Sequence, residues 1–175
     1  MSIKKSIILV CGILSAHHTF ADVPVEVIGS CKDAKAVNSS VTLTKLASPQ
    51  GLGDDETGCL NHFESTVNSF NYGSIICNNE NYLILKSTRI KLNTAQNHSV
   101  NPSIIPGSDI APGSNWSKIG FNSNEYLCID VALSPSGDGG NVSQYYIVEN
   151  AYNSSTPILH YYFFNKEIMP TAATE

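Results

Sequence analysis

Positive charge is scarce in this chain. Ten Lys and Arg stand against fifteen Asp and Glu in 175 residues, a net charge of −5. Nucleic-acid binding needs clustered cations to displace counterions from phosphates, so no nucleic-acid partner is expected. Long apolar runs are missing too. Beyond Leu14 no run approaches the roughly 20 residues that a membrane-spanning helix needs. Close cysteine pairs are absent: Cys31, Cys59, Cys77 and Cys128 are separated by 28, 18 and 51 residues, and His62, His98 and His160 are equally scattered. Such spacing argues against a zinc site, and no metal or cofactor is expected. There is no G-x-S-x-G elbow, and the Gly-rich SPSGDGGN stretch does not lead into a helix, so neither a nucleophile turn nor a phosphate loop is read. Heptads and internal repeats are also lacking.

What is present begins with the form of an export leader. Lys4 and Lys5 open it, Ile7 to Leu14 supply a short apolar core, and Thr19 to Ala21 fit a cleavage site before Asp22. Cys11 follows Val10 rather than a small residue, which speaks against lipid attachment. Removal of residues 1–21 takes two lysines and moves the net charge to −7. No membrane anchor is expected afterwards, and the protein is read as periplasmic or secreted. Four cysteines in an exported chain predict two disulfides. Of the three possible pairings, Cys31–Cys59 with Cys77–Cys128 is the one expected. Five N-x-S/T triplets, at Asn38, Asn97, Asn115, Asn141 and Asn153, are expected to be silent behind a leader of bacterial type.

Period-2 alternation dominates residues 22–175. It runs through VPVEVIG from Val23, SVTLTKLA from Ser40, SIICN, YLILKSTRIKLN, EYLCIDVAL, SQYYIVEN and ILHYYFFNK. Helix signals are weak, with LNHFESTVNSF the one candidate for a turn or two. The expectation is one all-β domain, an antiparallel sandwich or small barrel of about seven to eight strands with two disulfides. Two surface loops interrupt it. Residues 47–58 are Gly-rich and acidic, and residues 93–115 carry Pro102, Pro106 and Pro112, which no central strand accommodates. The SPSGDGGN stretch from Ser134 reads as a hairpin loop between two strands rather than a ligand cradle.

Candidate contact residues are few. Asp54, Asp55 and Glu56 diverge along the chain, unlike the alternating ligands of a calcium loop, and suit a basic patch on a protein partner. Adjacent aromatics on a strand point to opposite faces, and Tyr146 and Tyr161 are assigned outward as interface anchors. No catalytic residue is assigned. The leading expectation is a periplasmic binding or inhibitor protein, such as an immunity protein that occludes the active site of a cationic interbacterial toxin. A secreted hydrolase or effector using His160 or Asp130, and an adhesive surface subunit, are the alternatives.

Overall fold

The computed structural model describes residues 22–53, 56–110, 112–133 and 138–167. The expected leader, Asp54, Asp55 and part of the SPSGDGGN stretch lie outside them. The chain runs α1 (Val25–Asp33), β1 (Val41–Lys45), β2 (Gln50–Gly51), β3 (Cys59–Val67), β4 (Phe70–Cys77), β5 (Glu80–Leu85), β6 (Thr88–Lys91), β7 (Gln96–Asn97), β8 (Asn115–Phe121), β9 (Asn124–Ala132), β10 (Ser143–Glu149) and β11 (Ile158–Tyr162). The fold is mostly β, as the alternation predicts. Two sheets form, in the orders β1-β8-β9-β10-β11-β7 and β2-β3-β4-β5-β6. Pairing is antiparallel except between β7 and β11, which run parallel. β9 and β10 are antiparallel neighbours, so SPSGDGGN does connect a hairpin.

The inward faces of both sheets share one core. Phe70, Tyr72, Leu83 and Leu85 of the smaller sheet pack with Trp116, Leu127, Ile129, Tyr146, Val148 and Tyr161 of the larger. Tyr72 and Trp116 meet across it with ring centroids 5.3 Å apart. This face-to-face packing is a β-sandwich.

Three segments differ from their sequence reading, each for a local reason. VPVEVIG is the helix α1 rather than a strand. Val23, Val27 and Cys31 fall four apart on one face and pack against Ile119, Tyr126 and Ile147 on the outer face of the larger sheet, while Val25 turns to solvent. That apolar outer face needs a cover, and a four-residue period supplies one where alternation would not. LNHFESTVNSF is strand: it forms β3 and the start of β4, turning at Asn68 and Ser69 with φ of 48° and 64°. YLILKSTRIKLN is two strands, because the chain reverses after Lys86 (φ 57°). Tyr82 and Ile84 therefore face outward while Ile90 packs on the core.

Hairpin turns of one kind recur. Asn68-Ser69, Asn78-Asn79 and Asn122-Ser123 each place two adjacent residues at positive φ. Mirror-image two-residue turns demand this, and Asn tolerates the left-handed region better than other residues with a Cβ.

The disulfides are Cys31–Cys128 and Cys59–Cys77, not the pairing expected from the sequence. The α1 face sets the first bond, because it lays Cys31 over Cys128 on β9. β3–β4 pairing sets the second by placing Cys59 directly opposite Cys77. Two formed disulfides imply an oxidising environment. Among the described residues, no helix is long and apolar enough to cross a membrane.

The two bonds differ in what they enclose, with sequence separations of 97 and 18 residues. Loop-closure entropy scales with the logarithm of loop length. The double variant Cys31→Ser/Cys128→Ser is expected to lose about 1.5 kcal/mol more in urea unfolding than Cys59→Ser/Cys77→Ser. Equal losses would show that the chain-entropy account does not govern here. Ser69→Gly and Ser123→Gly are each expected to raise stability in the same assay by about 0.5 kcal/mol, by relieving a Cβ at positive φ.

Candidate functional site

Strand order forces one long connection. β7 lies beside β11, whereas β8 lies at the far side of β9 and β10. Residues 98–114 must therefore cross the larger sheet. They do so against inward-facing residues of both sheets, and the crossing is held by side chains that neither sheet uses for pairing.

Each anchor can be named. The loop leaves β7 along β11, with the His98 and Val100 amides donating to the Tyr161 and Phe163 carbonyls at 2.8 and 2.9 Å. Ile104 and Ile110 are buried in the inter-sheet core. Between them the Gly107 amide donates to the Tyr146 hydroxyl at 3.0 Å, and the Gly107 carbonyl accepts from Asn81 Nδ2 at 2.7 Å. Gly107 has φ of 126°, a region that side chains rarely adopt. Ser108 Oγ donates to Gln144 Oε1 at 2.9 Å, and Ser74 Oγ donates to the Ile110 carbonyl at 3.2 Å. Gln144 is wholly buried. Its Oε1 also accepts from Tyr161 Oη at 2.9 Å, and its Nε2 donates to the Ala132 carbonyl at 3.3 Å. Burial pushes the Tyr146 phenol up to about 12 and the Tyr161 phenol higher still, so both stay protonated donors. Burial likewise raises the Asp109 carboxyl.

One side chain in this loop is turned the other way. Ile105 is 67% exposed, directly after Ile104 at 6%. Val100, at 41%, is the other exposed large apolar residue between 98 and 114. From Val100 to Ser108 there is no charged residue. The arrangement is an apolar tip on a fixed, uncharged base.

Tyr146 and Tyr161, expected to point outward, are fully buried. The alternation argument holds, but the parity is opposite: β10 and β11 turn Tyr146, Val148, Leu159 and Tyr161 to the inter-sheet core. Their neighbours Tyr145 and Tyr162 lie on the other face, packed with α1. Tyr145 reaches an open groove of about 440 Å³ shared with Lys32, Phe164 and Lys166. Glu56 is bound to Arg89 through both carboxylate oxygens, one at 2.8 Å, and this hydrogen bonding holds its carboxyl below the usual range. Asp54 and Asp55 lie outside the described residues. Ile105 and Gln144 carry the site and were not singled out by sequence. The signal was an Ile-Ile pair between two prolines in an otherwise polar stretch.

Among the described residues, Glu56, Cys59 and Cys77 alone gather three metal-type ligands. Two of them are spent in a disulfide. His160, a residue of the hydrolase alternative, contacts His98 rather than a hydroxyl nucleophile. Asp130 accepts from Asn115 Nδ2 at 3.3 Å.

No protein-family model, curated protein or solved structure matches the chain.

The anchors make a graded expectation. Tyr146→Phe removes the acceptor of one buried amide and should cost about 1–2 kcal/mol in urea unfolding. Gln144→Leu strands two hydroxyls and a carbonyl together and should cost more, about 3 kcal/mol. If Gln144→Leu is neutral, the amide is not what holds the loop.

Proposed function

We propose that this is an exported binding protein, of the inhibitor or immunity type, that occludes a protein partner with the tip of its 98–114 loop. One observation carries the reading: Ile105 stands in solvent on a segment that hydrogen bonds hold on both sides, at Val100 before it and at Gly107 and Ser108 after it. A loop fixed before contact avoids the ordering entropy that a flexible loop loses on binding. An exposed aliphatic side chain on such a loop suits the central, desolvated position of an interface, where a few residues supply most of the affinity. Disulfide bonding and the leader-like amino end support a periplasmic setting. The acidic Asp54-Asp55 pair would help steer a cationic partner.

The route to the test is affinity capture from envelope and secreted extracts, followed by titration of the captured partner. Ile105→Glu is expected to weaken binding about 30-fold or more, a hot-spot loss of roughly 2 kcal/mol, with unfolding unchanged. The wild-type dissociation rate should change little between 50 and 500 mM salt, because the tip carries no charge, while the association rate falls as steering is screened. A steep salt dependence of the dissociation rate with no effect of Ile105→Glu would move the contact to the acidic loop. Failure to capture any partner from well-folded protein would remove the binding reading altogether.

A further inference from the structure

The base of the loop carries a pair of histidines that the binding reading leaves unused. His160 lies on β11 and turns away from the inter-sheet core, between Leu159 and Tyr161, which point into it. It is 1% exposed. His98, half-buried, follows β7 in the parallel pairing with β11. Its Nε2 is 3.2 Å from His160 Nδ1, and its ring stacks on Tyr162 with centroids 4.7 Å apart. The next backbone bonds along the chain, from the His98 and Val100 amides to β11, begin the 98–114 loop.

Two imidazoles in contact through one nitrogen each need a donor on one and an acceptor on the other. A neutral pair meets this, and so does a pair holding one extra proton. Two imidazoliums do not: both nitrogens donate, and the charges repel across a partly buried contact. The groups that face the pair settle which tautomer is favoured. From β10, Glu149 Oε2 lies 3.8 Å from His160 Nε2, which has no hydrogen-bond partner among the described residues. From the segment before α1, the Asp22 carboxylate acts on both His160 and Tyr162. β7 contributes the uncharged Gln96 opposite His160, and β10 the apolar Ile147. A proton on His160 Nε2, aimed at Glu149, leaves Nδ1 to accept from His98. Neither carboxylate is within hydrogen-bond range of His160 to hold a second proton.

We propose that the His98–His160 contact is an acid-operated latch, which holds the start of the 98–114 loop to β11 until both rings are protonated and then releases it. Its biological meaning rests on the reading of that loop as the binding element, since release would let go of the partner. Burial, with His98 beside it, pushes the His160 imidazole down to about 4 from an ordinary 6.5, against the pull of Asp22. A depressed imidazole binds its proton later in the folded than in the unfolded chain. Its contribution to stability is therefore complete above pH 6.5, is lost as the pH falls towards about 4, and changes no further below that.

Amide exchange by NMR on the folded protein tests the latch without a partner. The protection of the His98 and Val100 amides, corrected for intrinsic exchange, should fall by about tenfold or more between pH 7 and pH 4, while the Ile129 and Leu83 amides keep theirs. His98→Gln retains a polar neighbour that cannot take a charge and should reduce the pH dependence, leaving only the part that burial of His160 contributes. Three outcomes overturn the latch: no fall at His98 and Val100, an equal fall at Ile129 and Leu83, or the same fall in His98→Gln. An Ile105→Glu variant that still binds a captured partner would sink the docking reading and leave these exchange rates as they are.

Discussion

An amide sealed inside a β-sandwich must satisfy an acceptor and two donor hydrogens without water, and Gln144 draws its partners from three distant parts of the chain. Ser108 comes from the crossing loop, Tyr161 from β11, and Ala132 from the end of β9. Removing the amide itself would strand the Ser108 and Tyr161 hydroxyls together, each then exposed to the desolvation penalty of an unpaired buried group. The crossing, the seams on either side of β10 and the position of the loop tip thus share one hydrogen-bonding solution.

The same economy explains why the tyrosines matter although they touch nothing outside. Tyr146 and Tyr161 fill the inter-sheet core with their rings; the Tyr146 hydroxyl accepts from the loop at Gly107, and the Tyr161 hydroxyl donates to Gln144, which in turn holds Ser108 of the loop. They are struts. Opposite Tyr161 on the strand, Tyr162 carries His98 on its ring face. The loop is therefore tied to both faces of β11, through Gln144 to the Tyr161 hydroxyl on one side and by the His98–His160 contact on the other. On the far sheet, the Glu56–Arg89 pairing sits beside the Cys59–Cys77 bridge and Ile84, where it lies over a small outward apolar cluster. Exposed pairs of this kind add little stability. Here the geometry ties Glu56 down to the sheet.

Much of the architecture was legible because alternation is a direct consequence of strand geometry. EYLCIDVAL and SQYYIVEN fall on β9 and β10. What escaped had physical causes. Asn-Ser and Asn-Asn turns carry no glycine, so the hairpins at Asn68, Asn78 and Asn122 were invisible to a search for Gly and Pro. Val23, Val25 and Val27 satisfy alternation and also leave Val23 and Val27 four apart. Only the apolar outer face of the larger sheet decides for the helix. Parity gave the opposition of Tyr145 to Tyr146 but not its sign, which depends on where the second sheet lies. The loop was recognised by its prolines, yet the turning of Ile104 inward and Ile105 outward follows from anchors on β4, β5 and β10 that no local pattern reveals.

The staple from α1 to β9 has a consequence for how the chain matures. A polypeptide exported amino end first presents Cys31 well before Cys128, and in the interval the thiols available to it are Cys59 and Cys77. Oxidation in order of arrival would couple Cys31 to Cys59 and trap a bond that the finished sandwich forbids. Two features guard against this. β3 and β4 are adjacent in sequence and bring Cys59 against Cys77 through local pairing alone. α1, in contrast, has no apolar surface to lie on until β8, β9 and β10 exist. The helix that looks like the first structural element is thus the last to be secured, and its thiol must wait, or be reshuffled, until most of the protein has been made.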